Sequence, residues 1–244
     1  MVDWPQKEHY TLEDLYTICT ILRHPQTGCP WDKIQTHQSI RKNFLEETCE
    51  VLEAIDAEDP VLMQEELGDV LMQVALHTCM EAEQGHFTLS DVCREVCEKL
   101  ISRHPHIFSS AEQAAGGLKS WDEIKNKEKG RRTLSDELDT VPATLPALMR
   151  VQKLQKRAAH YVSALSDAQL AERQLDEAYA ALKDALHRPV QSKAPDALET
   201  APAAESEAGA FLLAVCNVLR LAGVDAEQAL ALEARRFTAR QKAE

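Results

Sequence analysis

The chain has 244 residues and a formal net charge of -13, with 44% hydrophobic, 27% charged and 5% aromatic residues and only 8 glycines. That length allows one large domain or two smaller ones, each able to bury a core. Sparse aromatics and glycines argue against an all-β fold, which needs both for strands and turns. The negative charge argues against a nucleic-acid clamp, which has to neutralise phosphates.

Leu, Ala, Glu, Gln and Lys dominate and favour helices. A first helix is expected over 10–22, with Thr11 and Asp14 as a capping box and Leu12, Leu15, Tyr16, Cys19 and Leu22 as an apolar stripe. Residues 23–38, containing Pro25, Gly28, Cys29, Pro30, Trp31 and Asp32, read as a loop. A second helix is expected over 39–57. Asp59 and Pro60 read as N-cap and first-turn proline of a third, which runs to Gln84 and stops at Gly85. A fourth starts near Ser90 and ends before Pro105. Residues 109–142 are polar and read as a connection with one short helix around Trp121. Further helices are expected over 146–160, 166–187, 206–222 and 225–241. The stretch 188–205, rich in Pro, Ala, Ser and Thr, reads as a flexible insertion.

No N-terminal stretch reads as a signal peptide, and the longest apolar runs, 70–80 and 211–222, are too short to span a bilayer. The expectation is a cytoplasmic protein with its seven Cys reduced and no membrane partner. Cys93 and Cys97 are four apart rather than in Cys-x2-Cys spacing, and read as small buried hydrophobes rather than a zinc pair.

Residues 43–93 contain thirteen Asp and Glu and no Lys or Arg. Solvated helices ordinarily mix signs, since like charges at i,i+4 cost about 0.2–0.5 kcal/mol. On the second helix Phe44, Leu45, Thr48, Val51, Leu52 and Ile55 share one arc, and Glu46, Glu47, Glu50 and Glu53 fall on the opposite one. On the third, Glu66 and Asp69 project together and precede the apolar run 70–76. Desolvated carboxylates are costly without a close counter-charge. If the two helices pack antiparallel, Glu47 and Glu50 face Glu66 and Asp69 and form an oxygen-only site suited to Mg²⁺ or Mn²⁺. The competing reading is an acidic solvent face. Gly68, between the last two carboxylates, points to close helix packing or to a tolerated defect.

Glu46-Glu47-x-x-Glu50 followed by Glu66-x-x-Asp69 resembles the EExxE…ExxD signature of the MazG-type nucleoside triphosphate pyrophosphohydrolases. Gly28-Cys29-Pro30-Trp31-Asp32, Glu65-Glu66-Leu67-Gly68-Asp69, Arg103-His104-Pro105-His106 and Leu145-Pro146-Ala147-Leu148-Met149 resemble that family's two-domain members, so the likeness covers most of the chain. It implies an all-α fold of two tandem MazG-like units, with four-helix cores completed in a homodimer. The expected division is a catalytic unit over 1–132, a linker over 133–145 and a second unit over 146–244. The implied activity is hydrolysis of nucleoside triphosphates to monophosphate and pyrophosphate. Glu47, Glu50, Glu66 and Asp69 would hold Mg²⁺, and Glu46 would hold a second ion or orient a water. Lys99 and Arg103, i,i+4 on the fourth helix, match a Lys and an Arg that the family uses on phosphate groups. Trp31 and Lys33 in the first loop, and Trp121 and Lys125, are implied near the nucleotide; the competing readings are that Trp31 anchors its loop to the core and that the Trp121 segment packs. His104 and His106 read as helix-end packing ahead of an acid or base role. A second reading from another class is a non-catalytic nucleotide-sensing protein.

The second half resembles the family's second domain with its carboxylates broken. Asp176 and Glu177 stand at the Glu pair, Ala180 replaces the third carboxylate, Glu207 is kept, and Ala210 replaces the Asp. Leu232 replaces the Lys, while Arg236 matches the Arg. Catalysis in well-known members is attributed to the second domain; this sequence assigns it to the first.

Overall fold

The structure, a computed structural model, describes residues 6–108, 133–187 and 202–243. The expected helix around Trp121, with Trp121 and Lys125, lies outside the described residues. Among those described there are ten α-helices and no strand, the all-α class expected. The chain divides into two compact units, 1–118 and 119–244.

In the first unit α1 spans Leu12–Leu22, α2 Arg41–Ala57, α3 Pro60–Glu83, α4 Leu89–Arg103 and α5 Pro105–Phe108, with a 3-10 turn at Asp32–Ile34. Local chemistry fixes the ends. Thr11 Oγ1 accepts from the Asp14 amide while Asp14 accepts from the Thr11 amide. Asp59 accepts from the amides of Val61 and Leu62, and Pro60 costs nothing at the first helical position because its missing N–H has no partner there. Glu58 closes α2 in the left-handed region at φ 52°, and Gly85 follows α3 at φ 74°. α4 starts at Leu89, beside the expected Ser90. Thr88 is the N-cap, and its hydroxyl and amide both donate to Asp91 in a capping box.

α2 and α3 form an antiparallel hairpin, and α1 packs across the C-terminal half of α3. The core there is Cys19, Ile40, Ala75, Leu76, Cys79 and Met80, with Leu15, Tyr16 and Met72 against it. Only the edge of the apolar arc of α2 packs on α3. Leu45, Leu52 and Ile55 are at least half exposed, while Ala54 is fully buried and Glu47 and Val51 are half-buried. The strip of α2 that looks at α3 is therefore Glu47, Val51 and Ala54, at the border of the two arcs.

The second unit contains α6 Leu134–Leu138, α7 Ala147–Ala158, α8 Ala168–His187, α9 Pro202–Leu221 and α10 Ala226–Ala243. α8 packs along α9, and α7 contacts α6, α9 and α10. Within the expected linker, α6 carries a buried Glu137 that accepts from Tyr161 Oη at 2.9 Å, and Arg157 Nη1 donates to its carbonyl at 2.8 Å. α9 begins at Pro202, so the last residues of the expected insertion are helical; 188–201 lie outside the described residues. Gln152 ties the unit together, donating to the carbonyls of Cys216 and Val224 and accepting from the Ala226 amide.

Candidate metal centre

The hairpin brings Glu47 of α2 against Glu66 and Asp69 of α3. One carboxylate oxygen from each lies within 4.8 Å of the others. Oxygens sharing one Mg²⁺ at 2.0–2.1 Å are at most about 4.2 Å apart, so the cluster needs only a small contraction to chelate. Glu66 is buried and Glu47 and Asp69 are half-buried. Glu50, one turn on from Glu47, is exposed but within reach of both Glu47 and Glu66. Burial raises the Glu47 carboxyl above its ordinary range, reinforced by Asp69 and Glu50; the Gln73 amide beside it works the other way. Burial likewise raises Glu66, with Glu50, Glu65 and Asp69 adding to it. Among the described residues, no Lys or Arg forms an ion pair with these carboxylates. The donor set is all oxygen, crowded and negatively charged, and fits a hard divalent cation.

The other expected site residues lie as follows. Glu46 is turned away from the cluster and pairs with Lys42 at 2.9 Å on the exposed side of α2. Lys99 pairs with Glu95 at 3.3 Å on α4, and Arg103 is buried at the end of that helix. Trp31 is 53% exposed, so it does not anchor its loop in the core; Lys33 is half-buried in the 3-10 turn. His104 Nδ1 lies 2.7 Å from the Leu100 carbonyl, the helix-end role expected of it. Cys93 and Cys97 are free, half-buried and exposed respectively, so neither is the fully buried hydrophobe expected. A Cβ on Gly68 would meet nothing within 4 Å, so within this chain no close helix packing requires that glycine.

Two residues escape sequence reasoning. Gln73 is 4% exposed one turn beyond Asp69, with its amide toward Glu47; as a polar residue inside the apolar run 70–76, at i+4 from Asp69, it carried a readable signal. Arg23 is 7% exposed. It makes a bidentate pair with Glu83 at 2.7 and 2.8 Å and donates through Nη1 to the carbonyls of Asp32 and Gln35. This clamp ties the loop carrying Trp31 and Lys33 to the end of α3. Its partner is sixty residues away, so no local pattern announces it. Gly28 makes the loop possible: a Cβ there would lie 2.3–2.7 Å from backbone atoms of Leu22 and His24.

In the second unit Glu177, Ala180 and Ala210 are exposed and Glu207 is half-buried. Among the described residues, the one group of three or more His, Cys, Asp or Glu placed to hold a metal is the Glu47, Glu66 and Asp69 set.

Residues 35–108, which contain this whole cluster, match the model of the MazG nucleotide pyrophosphohydrolase domain. The chain is 39% identical over 221 residues to the nucleoside triphosphate pyrophosphohydrolase of Escherichia coli K12, covering 90% of this chain and 81% of that protein. The chain belongs to the MazG family. To the nucleoside triphosphate pyrophosphohydrolase/pyrophosphatase MazG of Thermotoga maritima it is 36% identical over 230 residues, covering 94% of this chain and 84% of the relative. The similarity to the Mycobacterium tuberculosis nucleoside triphosphate pyrophosphohydrolase is 36% over 136 residues, 54% of this chain and 41% of that protein. The likeness to the first two thus runs through both units of this MazG-family chain, whereas the matched domain, and the carboxylates that fit a cation, lie in the first.

Proposed function

We propose that this MazG-family protein is a nucleoside triphosphate pyrophosphohydrolase that yields nucleoside monophosphate and pyrophosphate, with Mg²⁺ as its cation and its working site in the first unit. The observation that carries this is the convergence of Glu47, Glu66 and Asp69, with Glu50 beside them, inside the region matching the family's domain. These four residues would hold the cation. When bound, a divalent ion here polarises a phosphoryl oxygen and lowers the pKa of a water. The chain itself supplies a fixed, partly buried oxygen cradle that selects a hard cation, and the acidic walls leave a triphosphate no foothold without one. Lys99 and Arg103 are the candidates for charge on the phosphate groups. Trp31 and Lys33, on the clamped loop, are the candidates for the nucleoside side, together with Trp121 and Lys125 outside the described residues. Glu46, paired with Lys42, has no part in the first coordination of the ion. The net charge of -13 disfavours nucleic acid as a partner.

The open apolar face of α2, with Leu45, Leu52 and Ile55, and the exposed Val96, Leu100 and Ile101 of α4 support a homodimer that covers them. No single described helix is long and apolar enough to cross a membrane. The free cysteines suit a reducing compartment, the basis for a cytoplasmic assignment.

The test is a panel of nucleoside triphosphates with Mg²⁺, scoring pyrophosphate against orthophosphate for the wild type and Glu50→Gln. Pyrophosphate from the wild type, with kcat/KM reduced on the order of a hundredfold in the variant, is expected. Orthophosphate as first product, or equal activity in the variant, would overturn the reading.

A further inference from the structure

α3 carries a single polar stripe, Glu66, Asp69, Gln73, His77 and Glu81, at spacings of three and four residues that keep all five toward one side of the helix. Its first two members belong to the carboxylate cluster. Its last two line a cavity of about 520 Å³ between α3, the start of α2 and the start of α4. Helix rise sets Val74 and His77 roughly 8 and 12 Å along the axis from Asp69. That is about the span from a phosphate held at the cluster to the base of the same nucleotide. Between the two lies Gln73, whose buried Oε1 has no hydrogen-bond partner. A buried acceptor of this kind calls for a donor supplied from outside the protein.

The walls are Phe44, Val74, Phe87 and Val92, with the Phe44 ring edge-on to His77 at 5.7 Å. Such walls repel a polyphosphate and suit a flat heteroaromatic ring. The polar side is a chain of contacts. His77 Nδ1 and His37 Nδ1 are 2.7 Å apart with the ring planes nearly parallel. His37 Nε2 is 2.7 Å from Glu81 Oε1, and His86 Nδ1 is 2.7 Å from Glu81 Oε2. The His37–Glu81 contact is bent away from hydrogen-bond geometry, yet two lone pairs do not settle at that separation, so Nε2 of His37 carries a proton. A neutral His37 then has its lone pair at Nδ1. His77 must donate Nδ1–H to it, and His77 Nε2 is left as an acceptor. Of the remaining lining groups, Thr78 already donates to the Val74 carbonyl, and Arg41 is exposed to water. The lining residue from α4, Val92, brings no charge.

We propose that this cavity receives the base of the nucleoside triphosphate and that His77 Nε2 accepts a hydrogen bond from an exocyclic amino group. The protein accordingly favours bases with an amine over their oxo counterparts, cytosine over uracil and adenine over hypoxanthine. This rests on the hydrolase reading and extends it to the substrate class. It is tested by kcat/KM for CTP against UTP and ATP against ITP at about pH 8, where an unperturbed imidazole is neutral, for the wild type, His77→Ala and Val74→Trp. Mn²⁺ binding by electron paramagnetic resonance reports the fold and the cation site in each. The amino substrate is favoured by about tenfold. His77→Ala brings the ratio near one. Val74→Trp, which fills the cavity, raises KM for all four by about tenfold or more while Mn²⁺ binding stays native. Ratios in His77→Ala that match the wild type, or an unchanged KM in Val74→Trp, overturn the assignment. If the wild type hydrolyses none of the four, the hydrolase reading fails instead. The cavity is then judged by calorimetric binding of CMP against UMP: preference for CMP, lost in His77→Ala, supports it, and equal or absent binding refutes it.

Discussion

Replacing Arg23 by Met keeps most of the side-chain volume and removes every polar contact of the clamp. The wild-type guanidinium is 7% exposed and makes four hydrogen bonds, two to Glu83 and one each to the carbonyls of Asp32 and Gln35. The two carbonyl bonds are worth about 1 kcal/mol each, somewhat more because the donor is charged. The Glu83 side chain is 47% exposed, so water recovers much of that half of the pair, and it contributes no more than about 1 kcal/mol. The expected loss is therefore about 2–3 kcal/mol, which lowers the melting temperature of a unit this size by roughly 10 °C. The effect is local. Hydrogen exchange should show residues 28–35 losing protection while α3 keeps its own, because the loop loses its tie before the core does. Urea denaturation of wild type, Arg23→Met, Glu83→Gln and the double variant gives the coupling energy, expected near 1 kcal/mol. A stability for Arg23→Met within about 0.5 kcal/mol of wild type, with unchanged exchange in the loop, would refute the clamp.

Gly28→Ala forces a methyl to within 2.3–2.7 Å of three backbone atoms, none of which can swing aside, so it should destabilise the first unit by more than about 2 kcal/mol, read from the melting temperature. By contrast Gly68→Ala meets open space and should stabilise α3 by about 1 kcal/mol. The Thr88 hydroxyl and amide, with Arg94, hold the Asp91 carboxyl below its ordinary range. A depressed carboxyl stabilises the fold above its unfolded pKa of about 3.9, and that contribution is lost as pH falls through the folded value. Asp91→Asn should therefore weaken α4 at neutral pH, with the difference from wild type closing as pH falls below the ordinary carboxylate range in acid titrations followed by circular dichroism. Glu177→Gln, in the unit whose carboxylates are broken, should leave hydrolysis within about twofold of wild type; a loss of activity would place the working site in the second unit.

The helical plan was legible because its signals are local. Asp59–Pro60, Thr11–Asp14 and Gly85 punctuate the chain through hydrogen bonds and φ values set by adjacent residues, and the observed helices begin and end there. α4, expected near Ser90, begins at Leu89 behind Thr88, whose third residue on is Asp91. The carboxylates at 47, 50, 66 and 69 were legible for a related reason. Helical period alone puts each pair on one side of its own helix. That they converge depended on a two-residue turn at Glu58–Asp59, short enough to impose an antiparallel hairpin.

By itself, then, the sequence determined an all-helical chain, the ends of most helices, and a set of uncompensated acids gathered by period into two neighbouring helices. Tertiary packing decided the rest. It selected the strip of Glu47, Val51 and Ala54 on α2, and not its leucines, to lie against α3, turned Glu46 outward to Lys42, brought Arg23 to Glu83 across sixty residues, and joined His37 to His77 across forty. The physical reason is range. Capping and period act within one or two turns of backbone, whereas burial and charge pairing depend on which segments meet, and that follows from the balance of the whole core.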